Sequence, residues 1–164
     1  MARLLKVGIG LFLLMILAVG GAGAYLGYMW SSNLPYIGSL KDYHPPIISE
    51  ITGSEGEVIG RFWDEKRIVI PLERMPRHLI QAFVAAEDDR FYEHKGVDFY
   101  SIFRALLKNI RAGKIAQGGS TITQQVTRSL LLKNPERTYR RKAREALLSL
   151  QIEKAFSKER ILFL

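Results

Sequence analysis

Residues 76–112, PRHLIQAFVAAEDDRFYEHKGVDFYSIFRALLKNIRA, carry two helical patterns separated by a short polar turn. In the first, Ile80, Phe83 and Val84 share one face, and Glu87 joins them at i+7, i+4 and i+3, so a helix over about 76–89 ends its apolar stripe in a carboxylate. Pro76 suits the first turn of that helix, where a missing backbone N–H costs nothing. In the second, Phe99, Ile102, Phe103, Leu106, Leu107 and Ile110 recur at helical spacing and the pattern stops at Gly113. This predicts an amphipathic core helix over about 98–112 with a scaffolding role. Further along, the loop KIAQGG leads to Ser120 as an N-cap, and a third helix runs from about Thr121 until Asn134-Pro135 stops it. A fourth extends from about Glu136 to Phe156, and Ser157 caps a fifth. The expected fold over residues 76–164 is therefore mainly α.

Upstream the patterns change. Residues 47–75 contain short β-type runs, Val58-Ile59 and Ile68-Val69-Ile70, bounded by Gly53-Ser54-Glu55-Gly56 and Asp64-Glu65-Lys66, which predicts a small β-hairpin region. Residues 31–46 are rich in turn formers and read as a linker that hugs the surface. Residues 7–30 hold no charged side chain and include LFLLMILAV, long and apolar enough for a transmembrane helix. Arg3 and Lys6, in a short tail over residues 1–6, place the amino terminus in the cytoplasm, and Tyr25, Tyr28 and Trp30 suit the opposite interface. Ala22-Gly23-Ala24 would also serve a cleaved signal peptide, but the uncharged run continues past it into the aromatic belt, which favours an anchor.

With 164 residues, the chain has room for one modest domain after its anchor. It has no cysteine, which excludes disulfides and thiolate metal sites. The formal net charge is +8, and residues 104–160 hold 14 of the 24 Lys and Arg residues against only Glu136, Glu145, Glu153 and Glu159. So regional a basic surface implies an anionic partner. Export of this segment across a membrane argues against nucleic acid and for anionic lipid or a phosphorylated substrate.

Three constellations carry chemistry. In EDDRFYEHKG, residues 87–96, Glu87 sits at the edge of an apolar face, where partial desolvation would tune a carboxyl for general base or acid work. The plainer reading is a solvated helix end in which His94 caps a turn. In GGSTITQQVTR, residues 118–128, Thr121, Gln124, Gln125 and Arg128 share one helix face opposite Ile122, Val126 and Leu130. Such a face, entered through backbone N–H groups of Gly-Gly-Ser, suits a glycosyl diphosphate, although a solvated face capped by serine fits the same pattern. In RTYRRKAREALLSLQIEK, residues 137–154, Arg137, Arg140, Arg141, Lys142 and Arg144 crowd around Glu145 and call for an anionic partner or Glu145 as internal counter-ion, although a solvated basic face fits the same pattern equally well.

Taken together, E-D-x-x-F-x-x-H-x-G at 87–96, G-G-S-T-I-T-Q-Q at 118–125 and R-K-x-x-E at 141–145 resemble the first three ordered motifs of family 51 glycosyltransferases. The anchor, the hairpin region and LKNPERTYRRK look most like the 1A type of class A penicillin-binding proteins. The resemblance implies a mostly helical, lysozyme-like fold with two carboxylates across a cleft close to the membrane. It implies attack by the 4-hydroxyl of one lipid-linked disaccharide on the anomeric carbon of another, with inversion and loss of undecaprenyl diphosphate. Glu87 matches the catalytic base and Glu145 the second catalytic carboxylate, acting at the leaving diphosphate through basic neighbours or a divalent cation, Mg or Mn, that is not obligatory. Arg128, Arg141 and Lys142 would neutralise that diphosphate. Ser120, Thr121, Gln124 and Gln125 would position sugar and phosphate, with Asp88 and His94 shaping the site. The implied partners are lipid II, the growing glycan strand, the bacterial inner membrane and other proteins of cell-wall synthesis.

The family pattern departs at the carboxyl end, where Lys158-Glu159-Arg160-Ile161-Leu162 opens the fourth motif and Phe163-Leu164 closes the sequence. The expectation is a truncated glycosyltransferase of uncertain activity, without the transpeptidase domain and without β-lactam binding. Two alternatives use the same features: a membrane-tethered lysozyme-like hydrolase, which would have no diphosphate to neutralise, and a non-catalytic module that binds lipid II.

Overall fold

The computed structural model describes residues 2–64, 66–133, 136 and 138–164; the side chains of residues 1–7, 11 and 26 are not among those described. The expected helix stop at Asn134-Pro135, the basic Arg137, the turn residue Glu65 and the side chains of Arg3 and Lys6 therefore lie outside the description. The order of elements is α1 (Ala2–Ser31), a 3-10 turn (Ile37–Leu40), β1 (Ser49–Thr52), β2 (Val58–Phe62), a second 3-10 turn (Leu72–Arg74), α2 (Arg77–Glu87), α3 (Phe99–Ala112), α4 (Ile122–Val126), a π-helical turn (Thr127–Leu132), α5 (Tyr139–Ala155) and α6 (Lys158–Phe163). The fold is mainly α with one hairpin, as the periodicity predicts.

Within α1, Gly8–Ser31 is long and apolar enough to cross a membrane. The segment after it departs from expectation. Instead of a surface linker, it folds Ile37–Leu40 into a 3-10 turn whose Leu40 is 2 % exposed and packs in the core beside Ile152 and Ile161. Three arginine contacts hold it there: Arg160 Nη2 donates to the carbonyls of Leu40 (3.0 Å) and Lys41 (2.8 Å), and the Arg144 guanidinium donates to that of Asn33.

The hairpin pairs β1 with β2 antiparallel, Ser49 opposite Phe62 and Ile51 opposite Gly60. Gly53-Ser54-Glu55-Gly56 forms its turn, but Ile68-Val69-Ile70, expected as a strand, is irregular and exposed. An apolar triplet has a strand's propensity and still needs a neighbour to pair with, and the hairpin here is complete with two strands.

The core joins Val84 of α2, Phe91 of the following turn, Ile122 and Val126 of α4, Ile152 of α5 and Ile161 of α6. The helix caps differ in places from their sequence assignments. Thr121, not Ser120, caps α4, through a capping box with Gln124. Helix α5 begins at Tyr139 under a Thr138 cap rather than at Glu136. The third helix loosens into a π turn after Val126 and ends at Lys133, whose φ of 44° is left-handed. Ser157 caps α6 as expected, accepting from the Arg160 N–H.

Helix α3 requires the largest correction. Asp98 caps it and Gly113, at φ 62°, ends it, but the described residues leave its apolar face uncovered. Phe99, Phe103, Leu106 and Ile110 are all more than half exposed, and Ala105 is its only fully buried residue. Amphipathic spacing shows that a helix has an apolar face without saying what covers it.

Gly96 is fixed by geometry. Its φ is +99°, and a Cβ there would lie 2.6 Å from the carbonyl oxygen of Ser149 in α5. Gly96→Ala is expected to destabilise the fold by about 1–3 kcal/mol, from strain plus displacement of α5, read as a lower urea midpoint. An unchanged midpoint would show that the turn can relax away from α5.

Candidate active site

The end of α2 carries the first candidate carboxylates. Glu87 is exposed, so the partial desolvation expected from its apolar stripe is not found; Phe83, beside it on the stripe, is itself 59 % exposed. Asp88, one residue on, takes the buried position instead. Its Oδ2 lies 2.9 Å from His94 Nε2 and accepts from the Ile122 N–H at 3.0 Å. The Gly96 N–H donates to His94 Nδ1 at 3.1 Å, which places the ring proton on Nε2, facing Asp88. Asp88 and His94 thus tie the turn after α2 to the start of α4 from inside.

Asp89 points the other way, onto Arg104 of α3, with Nη1–Oδ2 at 3.0 Å and Nη2–Oδ1 at 3.2 Å. The hydrogen bond from the Arg104 guanidinium, with its charge, holds the Asp89 carboxyl below the ordinary carboxylate value. This pair fixes the distance between the end of α2 and α3.

The motif on α4 divides into two sets. Thr121 and Gln124, expected to face substrate, are each 2 % exposed and bonded internally. Thr121 Oγ1 donates to the Gly96 carbonyl at 2.7 Å, and Gln124 Oε1 accepts from the Thr121 N–H at 3.2 Å. The N–H groups of Thr121, Ile122 and Gln124 are occupied by Gln124, Asp88 and Thr121, so they are not open to an anion. Gln125 does reach outward, and its Nε2 donates to Glu87 Oε2 at 2.8 Å. Arg128 is exposed and makes no ion pair among the described residues.

On α5, Glu145 is 1 % exposed and serves as the counter-ion that the basic cluster requires. Arg141 Nε lies 3.0 Å from one carboxylate oxygen and Lys142 Nζ 2.9 Å from the other. Lys142 also reaches Ser120 Oγ at 2.8 Å, carrying the cluster to the loop before α4. Beneath, the Ser149 hydroxyl donates to the Glu145 carbonyl at 2.6 Å, and Thr123 and Lys158 both bond Glu153 Oε1. Lys158 also lies 4.4 Å from the centre of the buried Phe91 ring.

An open cleft of about 720 Å³ runs between these elements. Glu87, Asp88, Asp89, Ser120, Thr121 and Gln125 line it, with Arg104 and Lys108 on the α3 side. Glu145 is not part of the lining. The two carboxylates expected across one cleft are thus unlike: Glu87 faces open space, and Glu145 is enclosed by its own cations. Arg104 and Lys108 escape a motif-based reading, although their i, i+4 spacing beside an apolar stripe marks the polar edge of α3.

The donors do not fit a divalent cation. Both oxygens of Glu145 are held by cations, Asp88 is bound to His94, Asp89 is bound to Arg104, and among the described residues no group of three His, Asp or Glu side chains converges.

A protein-family model described as Transglycosylase matches residues 55–164. The chain belongs to the transglycosylase family. It is 45% identical over 130 residues to penicillin-binding protein 1A of Aquifex aeolicus (strain VF5), covering 79% of this chain and 18% of that protein. It is 42% identical over 144 residues to penicillin-binding protein 1A of Escherichia coli (strain K12), covering 87% and 17%. With penicillin-binding protein 1A of Rickettsia conorii (strain ATCC VR-613 / Malish 7) it shares 39% over 155 residues, covering 93% and 20%. The chain thus spans about a fifth of the length of these curated relatives. Its helical fold is the lysozyme-like one that membership of the transglycosylase family entails.

Asp98 supports this transglycosylase cleft from outside the motifs. Its side chain accepts from the Tyr100 and Ser101 N–H groups and the Ser101 hydroxyl, the last at 2.7 Å. Burial alone would raise its carboxyl, but these donors, with Arg90, hold it below the ordinary value of 3.8. A carboxyl lowered in the folded state contributes stability that is full above its unfolded value and lost as pH falls through the folded one. Asp98→Ala is expected to cost about 1–2 kcal/mol near neutral pH. The gap between variant and wild-type denaturation midpoints should narrow as pH falls below the ordinary carboxylate value of 3.8; a gap constant with pH would refute the assignment.

Proposed function

We propose that this chain carries the peptidoglycan glycosyltransferase reaction, joining lipid-linked disaccharides into β-1,4-linked glycan. The observation that carries the reading is the bond between Gln125 and Glu87, which brings the first two motifs together in an open cleft. The 4-hydroxyl oxygen of one disaccharide attacks the anomeric carbon of another as the bond to the diphosphate breaks. Glu87 takes the hydroxyl proton, and undecaprenyl diphosphate leaves with the bonding electron pair. Exposed Glu87 has room for a sugar hydroxyl, and Gln125 orients its carboxylate. Arg128 is available to the leaving diphosphate, and Arg141 and Lys142 add positive charge from α5. Glu145 acts as a positioning residue that holds those two cations.

In this reading α1 is a single-pass anchor in a bacterial inner membrane, with its amino terminus in the cytoplasm and the cleft on the outer side. Lipid II, the growing strand and other cell-wall synthesis proteins are the partners. The test is incubation of the protein in detergent with labelled lipid-linked disaccharide, followed by separation of products by length. A ladder of polymer supports glycosyl transfer. Short fragments released from purified cell wall would show a hydrolase instead, and substrate binding without product a non-catalytic module.

A further inference from the structure

Below the contact between Glu87 and Gln125 lies a buried ion pair that the reaction as described leaves unused. Lys158 Nζ, from the first residue of α6, stands 2.8 Å from Glu153 Oε1 near the end of α5, and the two side chains are 19 % and 5 % exposed. An ammonium has three N–H donors to place. One goes to Glu153, a second to the His94 carbonyl at 2.8 Å, and the charge lies 4.4 Å from the centre of the fully buried Phe91 ring. Glu153 Oε1 also accepts from the Thr123 hydroxyl of α4 at 2.6 Å. A single cation thus grips the turn after α2 directly and α4 through a carboxylate. Neither Lys158 nor Glu153 lines the cleft.

Both ends of this bridge lead to the candidate base. On one side the His94 ring meets Asp88, the residue next to Glu87 in the chain. On the other, Thr123 stands two residues before Gln125, whose amide donates to the Glu87 carboxylate. Packing alone does not need the charges. Ile152 and Ile161, on the same two helices, are fully buried, and an ion pair taken out of water is a weak source of stability because desolvation offsets its attraction. What the pair supplies is direction, since a fully bonded polar network specifies one arrangement of the groups it joins.

We propose that Lys158, with Glu153, is a positioning residue for Glu87: it sets the end of α2 against α4 and so holds the Glu87–Gln125 contact, without touching substrate. The inference rests on the glycosyl-transfer reading.

The test uses the full chain in detergent with labelled lipid-linked disaccharide. Lys158→Met/Glu153→Gln removes both charges with little change in shape and leaves an amide oxygen for Thr123. Its kcat for polymer formation is expected to fall by about 10- to 100-fold, the scale of loss when a reacting group is displaced by about 1 Å, while KM stays within about twofold of wild type. Added to Gln125→Ala, the same two substitutions should deepen the loss by less than about twofold, because all three act on one contact. Losses that multiply, or a wild-type kcat in Lys158→Met/Glu153→Gln, overturn the inference. A rate that falls only in step with the folded fraction, followed by chemical denaturation at the assay temperature, makes the pair a structural brace and overturns it too. If that variant does not fold, Thr123→Val carries the test. It keeps the shape and the ion pair, cuts the link to α4, and should lower kcat by about three- to tenfold; an unchanged kcat there overturns the inference. Polymer from the wild-type protein is scored first. Its absence overturns the functional reading and the inference with it, whereas polymer from wild type and an unchanged kcat in the variants overturn the inference alone.

Discussion

Glu87→Gln is expected to lower the rate of glycan polymerisation by roughly 100- to 10,000-fold, the contribution of a positioned general base. Glutamine keeps the shape and can still bond Gln125, but it cannot take a proton. Because Glu87 is exposed, the substitution should leave the denaturation midpoint and the binding of the lipid-linked disaccharide close to wild type. The measurement is the rate of appearance of long glycan, with substrate binding followed in parallel. A rate within a factor of two or so of wild type would remove Glu87 from the mechanism.

Glu145→Ala should do the opposite and damage the fold first. Glu145 is enclosed and holds Arg141 and Lys142 within 3.0 Å and 2.9 Å, and Arg141 is itself largely buried. Removing the shared carboxylate takes away the buried anion that both side chains contact, for which a cost of about 3–5 kcal/mol is expected. Lys142 would also lose the partner that aims it at Ser120. Chemical denaturation is the readout. Full stability with activity lost would instead make Glu145 a group that touches substrate.

Much of the helical order was legible from spacing, because an apolar residue every third or fourth position means the same thing wherever the helix lies. Glu145 as counter-ion was only one of the outcomes that the spacing left open, beside an anionic partner and a solvated basic face; the burial that decides among them is set by tertiary packing. The role of α4 was not legible. Thr121 and Gln124 share a face with Gln125 and Arg128 on a helical wheel, but Thr121 lies at the cap, where its hydroxyl turns back to the chain. The desolvation expected of Glu87 failed for a similar reason: a stripe tells which side is apolar, and Phe83 shows that an apolar side can remain open. The Asp89–Arg104 pair joins residues 15 positions apart, across a turn whose path no local pattern specifies.

The insertion of Leu40 into the core changes what the amino-terminal helix does mechanically. A segment held by Arg144, Arg160 and a buried leucine behaves as a strut and not as a leash. With α1 spanning a bilayer, the cleft would stay at one height above it. A substrate confined to the same bilayer would then find the site by sideways diffusion, in two dimensions, without the chain having to bend down to meet it.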